Sequence, residues 1–118
     1  MRKQNYKGRC EKRVFKKCKD VCKTYDPIQS AYADILENND DVAEIRCNVP
    51  LDGLEIGEYM SDFVCIKTNG DLLVCECVSR RLLLKPMTLK LLDASREFWL
   101  RRNVTDWRLV IDDETTKE

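Results

Sequence analysis

The chain has 118 residues, 21 acidic and 21 basic, with no histidine and 43% hydrophobic residues. This length suits one domain with a single core, and the composition is typical of a soluble globular protein. No apolar run approaches the roughly 18 residues of a membrane span, and no apolar stretch follows the basic start, so we expect neither a membrane partner nor a secretion signal. Seven cysteines without such a signal predict reduced thiols in a cytoplasm.

The neutral total hides a separation of charge along the chain. Residues 1–24 hold ten Lys and Arg against two Asp and Glu, a net charge of +8, and the remainder carries −8. Apolar residues recur at helical spacing over residues 9–24, which predicts a basic amphipathic helix over the segment 1–24. Such a helix can bind phosphates, remain a solvated face or dock on the acidic body, and charge alone leaves these open.

The remaining elements follow in the order helix, three strands, helix, strand. Asp26 is predicted as a helix N-cap, with Pro27 as the first helical residue and Gln29 in a capping box. The helix ends near Asn38. The later elements are expected at residues 43–49, 58–67 and 71–78 (strands), 86–102 (helix) and 107–111 (strand), before an acidic tail over 113–118. The whole order is ααβββαβ, an α/β layer with a mixed sheet.

Glu76 stands out because it interrupts an apolar strand, Leu72–Val78. Side chains alternate faces along a strand, so Glu76 shares a face with Val74 and Val78. A carboxylate in such surroundings is costly unless a metal, a cation or hydrogen-bond donors compensate it.

The turn between the two hairpin strands decides which residue faces Glu76. A three-residue loop, Thr68 to Gly70 with Gly70 left-handed, places Asp62 directly opposite Glu76, with the Cβ atoms about 5 Å apart. A two-residue turn would place Asp62 opposite Cys77 instead. Two facing carboxylates predict a site for Mg²⁺ or Mn²⁺, which prefers carboxylates together with water and phosphate. The alternative is a pair of strand-end acids that meet Lys, Arg or water.

The element order, with an Asp on the second strand and a Glu on the third, resembles the PD-(D/E)XK nuclease superfamily. Within it the chain is similar to the N-terminal catalytic domain of TnsA, the endonuclease subunit of heteromeric transposases. The resemblance covers roughly residues 24–112 and implies a restriction-endonuclease-like domain over 25–112, with a mixed sheet flanked by helices. Its strongest stretches are Tyr32–Glu37 with Asp40–Val42, Tyr59–Phe63, and Asn69–Gly70 leading into Val74–Val78.

The resemblance implies that Asp62 and Glu76 hold Mg²⁺ beside the scissile phosphate. The family's helix Glu falls on Gln29 as a third, neutral catalytic residue, although the capping box explains Gln29 without chemistry. The family's lysine falls on Val78, which can neither stabilise charge on phosphate nor orient water. Arg80, Arg81 or Lys85 can supply charge in its place if one of them reaches in from the strand end or the connection; the alternative is that these cations coat the surface.

The implied function is Mg²⁺-dependent cleavage of DNA during transposition, with a separate transposase subunit as partner, in bacterial cytoplasm with nucleoid DNA. Affinity for DNA backbone is expected from six cations, Arg13, Lys16, Lys17, Arg80, Arg81 and Lys85. Because of Val78 and Gln29, the alternative is an inactive nuclease fold that binds DNA or assembles a transposase. An acidic blocker of DNA-binding proteins is a third reading, and a homodimer is compatible with all of them.

The cysteines predict packing rather than chemistry. Cys10, Cys18 and Cys22 lack the tight spacing and four ligands of zinc sites, and no histidine is present to activate a thiol. Cys75 and Cys77 lie on the strand face opposite Glu76 and are expected to be small core residues.

Overall fold

The structure is a computed structural model that describes residues 10–55 and 57–112, so the predicted acidic tail lies outside the described residues. The described chain forms an α/β fold with a two-stranded sheet and a four-stranded mixed sheet. Its elements are β1 (Glu11–Arg13), β2 (Cys22–Thr24), α1 (Pro27–Glu37), β3 (Val42–Pro50), β4 (Met60–Lys67), β5 (Leu72–Val78), a 3₁₀ helix (Arg80–Leu84), α2 (Pro86–Leu100) and β6 (Trp107–Ile111).

The four-stranded sheet has the order β3-β4-β5-β6. The first three strands are antiparallel neighbours, and β6 pairs in parallel with β5 after the α2 crossover. One face packs on α1 and the β1–β2 hairpin through a core that includes Leu36 and Phe63; we call it the α1 face. The other packs on α2 through a core that includes Val74 and Trp99; we call it the α2 face.

The start of α1 confirms the sequence prediction. Asp26 has an extended backbone, with φ of −151°, and its carboxylate accepts a hydrogen bond from Gln29 N at 2.8 Å, while Pro27 opens the first turn. This satisfies one of the backbone donors that a helix N-terminus leaves without a partner.

The loop between β4 and β5 also has the predicted geometry. Gly70 has a positive φ of 92°, and Lys67 N bonds to Asp71 O at 2.8 Å across a three-residue loop. The strands then pair in the predicted register, from Ile66 opposite Leu72 to Phe63 opposite Cys75.

The helix predicted over residues 9–24 is wrong for the described part of that segment. Residues 11–13 and 22–24 are instead the two strands of an antiparallel hairpin. In β2 the side chains alternate between buried and exposed over only three residues, with Cys22 and Thr24 buried and Lys23 exposed. The longer run of helical spacing hid this short strand pattern in the sequence. Val14, which a helix would have buried, is 89% exposed.

Besides its core packing through Cys22, the hairpin makes polar contacts with α1 and β3. Arg13 pairs with Asp34, and the Lys17 ammonium donates to the Asn39 carbonyl at 2.6 Å just past the helix end. Ile45 N on β3 donates to Lys17 O at 2.8 Å. The charge pattern leaves three roles open for the basic segment, and one of them, docking on the protein's own acidic body, therefore accounts for Arg13 and Lys17.

Both helices in the described ranges fall short of what a bilayer span requires in length and apolar character.

Candidate functional site: a buried carboxylate under helix α2

Glu76 lies near the end of β5, on the α2 face, and its side chain is fully buried. The surrounding strand is apolar, with Val74 and Val78 on the same face also buried. Burial of a carboxylate at this depth requires that its oxygens receive hydrogen bonds.

Four donors surround the Glu76 carboxylate. Oε1 accepts from the Tyr59 hydroxyl at 2.7 Å and from Asp62 N at 3.3 Å. Oε2 accepts from the Ser61 hydroxyl at 2.6 Å and from the Ser95 hydroxyl, on α2, at 2.5 Å. Each oxygen thus has two donors, about as many as its lone pairs accommodate.

Two tryptophans fix the direction of the serine hydrogen bonds. The indole N–H of Trp99 lies 3.1 Å from Ser61 Oγ, and that of Trp107 lies 3.1 Å from Ser95 Oγ. Because an indole nitrogen only donates, each serine oxygen must accept from it, and its own O–H is left to point at Glu76. The shell around Glu76 is thereby oriented to receive a negative charge.

The pKa of Glu76 is raised from its ordinary value of 4.5 to about 7, chiefly because burial away from water disfavours the charged form and also because the Asp62 carboxylate is nearby. The hydrogen bonds from Ser61, Ser95 and Tyr59 act the other way, because they stabilise the charged form. The balance of these effects places the pKa of this fully buried carboxyl near neutral pH.

Asp62 is buried beside Glu76 but faces it differently than predicted. Strand pairing between β4 and β5 ends at Phe63 and Cys75, one step before the expected Asp62–Glu76 pair. The Asp62 carboxylate accepts a hydrogen bond from Cys77 N at 2.6 Å, and Asp62 N donates to Glu76. The acids are neighbours, but Asp62 Oδ2 binds the β5 backbone.

A backbone irregularity on β3 accompanies this departure. Asn48 has a positive φ of 56°, and no pair joins it to Asp62 in the β3–β4 ladder. Ser61 then reaches Glu76 on the α2 face, although Phe63, two residues later, packs on the α1 face. Side-chain alternation alone could not have predicted this exchange of faces.

Gln29 is fully buried, and its amide is engaged within the protein. Its oxygen accepts from Tyr25 N at 2.9 Å, one residue before the N-cap, and its nitrogen donates to Asn48 Oδ1 at 3.0 Å. A weaker contact at 3.5 Å joins the same nitrogen to the Asp62 carbonyl. Both polar atoms of the Gln29 amide thus have hydrogen-bond partners within the protein, as expected for a structural role. The residue connects α1 to the Asn48 irregularity.

The predicted cations differ in their surroundings. Val78, where the resemblance would place a lysine, is an uncharged side chain that is 1% exposed. Arg80 is half-buried and its backbone N–H donates to Asp112 at 2.7 Å, whereas Lys16, Arg81 and Lys85 are exposed. The β1–β2 hairpin carries Arg13, Lys16 and Lys17. The 3₁₀ helix after β5 carries Arg80 and Arg81, and Lys85 follows at its end.

The residues that the resemblance assigns to Mg²⁺ do not fit the ion in this arrangement. Both Glu76 oxygens receive oriented protein donors, and Asp62 Oδ2 accepts from the backbone. Within residues 10–55 and 57–112, no group of three or more His, Cys, Asp or Glu side chains has the geometry to hold a metal.

The sequence did not reveal the shell of Tyr59, Ser61, Ser95, Trp99 and Trp107. One signal was available: Ser95 lies on the apolar stripe of α2 between Leu92 and Trp99, where a buried hydroxyl requires a partner. Comparison of the chain with protein-family models and with curated proteins finds no match.

Proposed function

We propose that this chain is a nuclease-fold subunit of a DNA transposition system, similar to TnsA, that works on DNA with a separate transposase subunit. The support is the succession α1-β3-β4-β5-α2-β6, with β6 parallel to β5, and the position of an Asp near the start of β4 and a Glu on β5. These are the features on which the sequence resemblance rests.

Within that role, the geometry favours binding and assembly over cleavage. The observation that carries this conclusion is the closed shell of Glu76, a fully buried carboxylate with two donors on each oxygen. A phosphodiester cannot approach a side chain without solvent access, and Val78 supplies no charge for a reacting phosphate. The chain would then bind DNA and its partner through its surface.

A second candidate is Mg²⁺- or Mn²⁺-dependent endonuclease activity. It is favoured by the proximity of Asp62 and Glu76, since a buried carboxyl whose pKa is raised by burial and by a second buried carboxylate is typical of functional sites. This function requires that Tyr59, Ser61 and Ser95 release Glu76 when the partner or DNA binds.

A cleavage assay separates the two candidates. Wild type, Asp62→Asn and Glu76→Gln would be incubated with branched and linear DNA and either Mg²⁺ or Mn²⁺, with and without the transposase subunit, and nicks would be read on a denaturing gel. We expect DNA binding without nicks. Nicks in wild type that both variants lose, while Asp71→Asn in the exposed β4–β5 loop retains them, would establish the endonuclease instead.

A binding titration tests the DNA role itself. The slope of log affinity against log salt is negative, and each lost phosphate contact should reduce its magnitude by about 0.9. Lys16→Ala, Arg81→Ala and Lys85→Ala remove exposed cations, and Lys90→Ala on α2 is the matched control. Equal slopes in all variants and in wild type would remove these cations from the proposed DNA surface.

A further inference from the structure

Three cysteines that the proposed function does not use converge on the α1 face. Cys22 on β2 is fully buried, while Cys18, before it, and Cys47, on β3, are half-buried. Cys22 belongs to the core cluster on the α1 face, Cys18 and Cys47 pack against that cluster, and the Cys22 thiol is close to both of the others. The sequence separated Cys47 from the other two by more than 20 residues, so only the fold reveals this cluster.

The three thiols differ in their surroundings. The Cys47 sulfur receives hydrogen bonds from the Cys22 thiol and from the backbone N–H groups of Lys23 and of Cys47 itself. These contacts, with the Cys22 hydrogen bond the largest, lower the pKa of Cys47 to about 6. The pKa of Cys22 is raised, chiefly because it is the donor to Cys47, and burial raises that of Cys18 to about 11.

Cys47 is also accessible from outside. It lines a surface cavity of about 570 Å³ together with Val21, Lys23 and Met60, and a second of about 400 Å³ on the side of Cys18. A thiolate that receives hydrogen bonds, opens to solvent and has a second thiol beside it is the arrangement that reacts with peroxides.

We propose that Cys47 and Cys22 form a peroxide-reactive dithiol, in which Cys47 attacks the oxidant and Cys22 resolves the product. The Cys47 thiolate displaces hydroxide from a hydroperoxide such as H₂O₂ and becomes a sulfenic acid. Cys22 sulfur then attacks the Cys47 sulfur, and the Cys22 proton leaves with the sulfenic oxygen as water. The product is a Cys22–Cys47 disulfide that joins the β1–β2 hairpin covalently to β3.

This reaction would act on the basic segment of the chain. In the reduced protein the hairpin is held by core packing of Cys22 and by polar contacts such as Arg13 with Asp34, and the disulfide would add a covalent link that does not depend on charge. Oxidation would therefore fix the surface that carries Lys16, one of the cations proposed to meet DNA.

The test uses the full, reduced chain. It would be exposed to H₂O₂, blocked with an alkylating reagent, digested with trypsin and mapped by mass spectrometry. Trypsin separates Cys18 from Cys22 at Lys19, and fragmentation within residues 47–67 distinguishes Cys47 from Cys65. We expect a Cys22–Cys47 link as the first product. A first link that involves Cys18, or oxidation elsewhere while Cys47 stays a thiol, would overturn the proposal.

Two further measurements keep the test independent of folding defects. In wild type at neutral pH, iodoacetamide should modify Cys47 about tenfold faster than Cys10, because the thiolate is the reactive form; equal rates would contradict the proposal. Cys22→Ser should leave a sulfenic acid on Cys47 that dimedone captures, and Cys18→Ser should still form the Cys22–Cys47 link. Circular dichroism checks that both variants fold, and wild-type rates decide the question if they do not.

Discussion

The two faces of the four-stranded sheet each carry a buried core, but their chemistry differs. The α1 face is formed mainly by apolar side chains and thiols, such as Phe63, Leu73 and Cys75, and among the described residues its core cluster encloses no carboxylate. The α2 face contains the same kind of apolar packing around Val74, but it also encloses a carboxylate, Glu76. The cost of that carboxylate is offset only because every oxygen has oriented donors.

The difference between the two faces predicts how the stability of the fold responds to substitutions on each face. On the α1 face, the loss of unfolding free energy on substitution should scale with the side-chain volume removed, since packing is the main interaction. On the α2 face, they should depend on hydrogen bonding and on pH. The following predictions, from the largest effect to the smallest, test that distinction.

Glu76→Ala is expected to lower the free energy of unfolding by about 3–5 kcal/mol, because it leaves a cavity and removes the acceptor of buried donors. Urea denaturation monitored by tryptophan fluorescence measures the change. Leu73→Ala, on the same strand but the other face, is the matched control and should cost about 2–5 kcal/mol. If Glu76→Ala is nearly neutral, the oriented shell does not contribute as described.

The pH dependence of stability should carry the signature of Glu76. Its pKa is raised from 4.5 to about 7 on folding, so the folded state binds an extra proton between these values. The resulting stability is fully present below pH 4.5 and is lost as pH rises through 7, by about 3 kcal/mol.

Glu76→Gln should remove this dependence, whereas Leu73→Ala should lower the curve without changing its shape. Urea titrations from pH 4 to 8 provide the measurement. A Glu76→Gln curve parallel to that of wild type would assign the dependence to other groups.

Tyr59→Phe should cost about 1.5–3 kcal/mol at pH 8, because a hydrogen bond to a charged carboxylate is lost. It should also raise the pKa of Glu76 further, since the Tyr59 hydrogen bond lowers it. Tyr32→Phe on the α1 face, where the Tyr32 hydroxyl meets Cys75 and Arg108, should cost less than about 1 kcal/mol. Similar losses for both variants would remove the distinction between the faces.

Lys67→Met tests the rim of the sheet, where neither face is closed. Lys67 pairs with Asp106 at 2.7 Å and lowers the pKa of that carboxyl, so the pair should contribute at neutral pH and weaken as pH falls through the lowered pKa. The expected loss is about 0.2–1 kcal/mol, and it should shrink in high salt. A salt-independent loss above that range would show that Lys67 acts through packing.

Local sequence signals determined most of the described elements, because their causes lie within a few residues. The Asp26 cap and Pro27 set the start of α1, and Gly70 set the loop whose length fixes the β4–β5 register. The final strand, Trp107–Ile111, has the predicted bounds. The helix predicted for the basic segment was wrong, because the short strand alternation of β2 and a helical spacing of apolar residues overlap in the same residues.

The sequence also selected Glu76 as the residue that needed an explanation, since a carboxylate inside an apolar strand requires compensation. Only the tertiary structure decided what compensates it. The donors come from β4, from Tyr59 just before it and from α2, and the Asn48 irregularity accompanies the move of Ser61 to the α2 face. Sequence periodicity determines which residues are buried, whereas hydrogen-bond partners depend on contacts between distant elements that no local pattern contains.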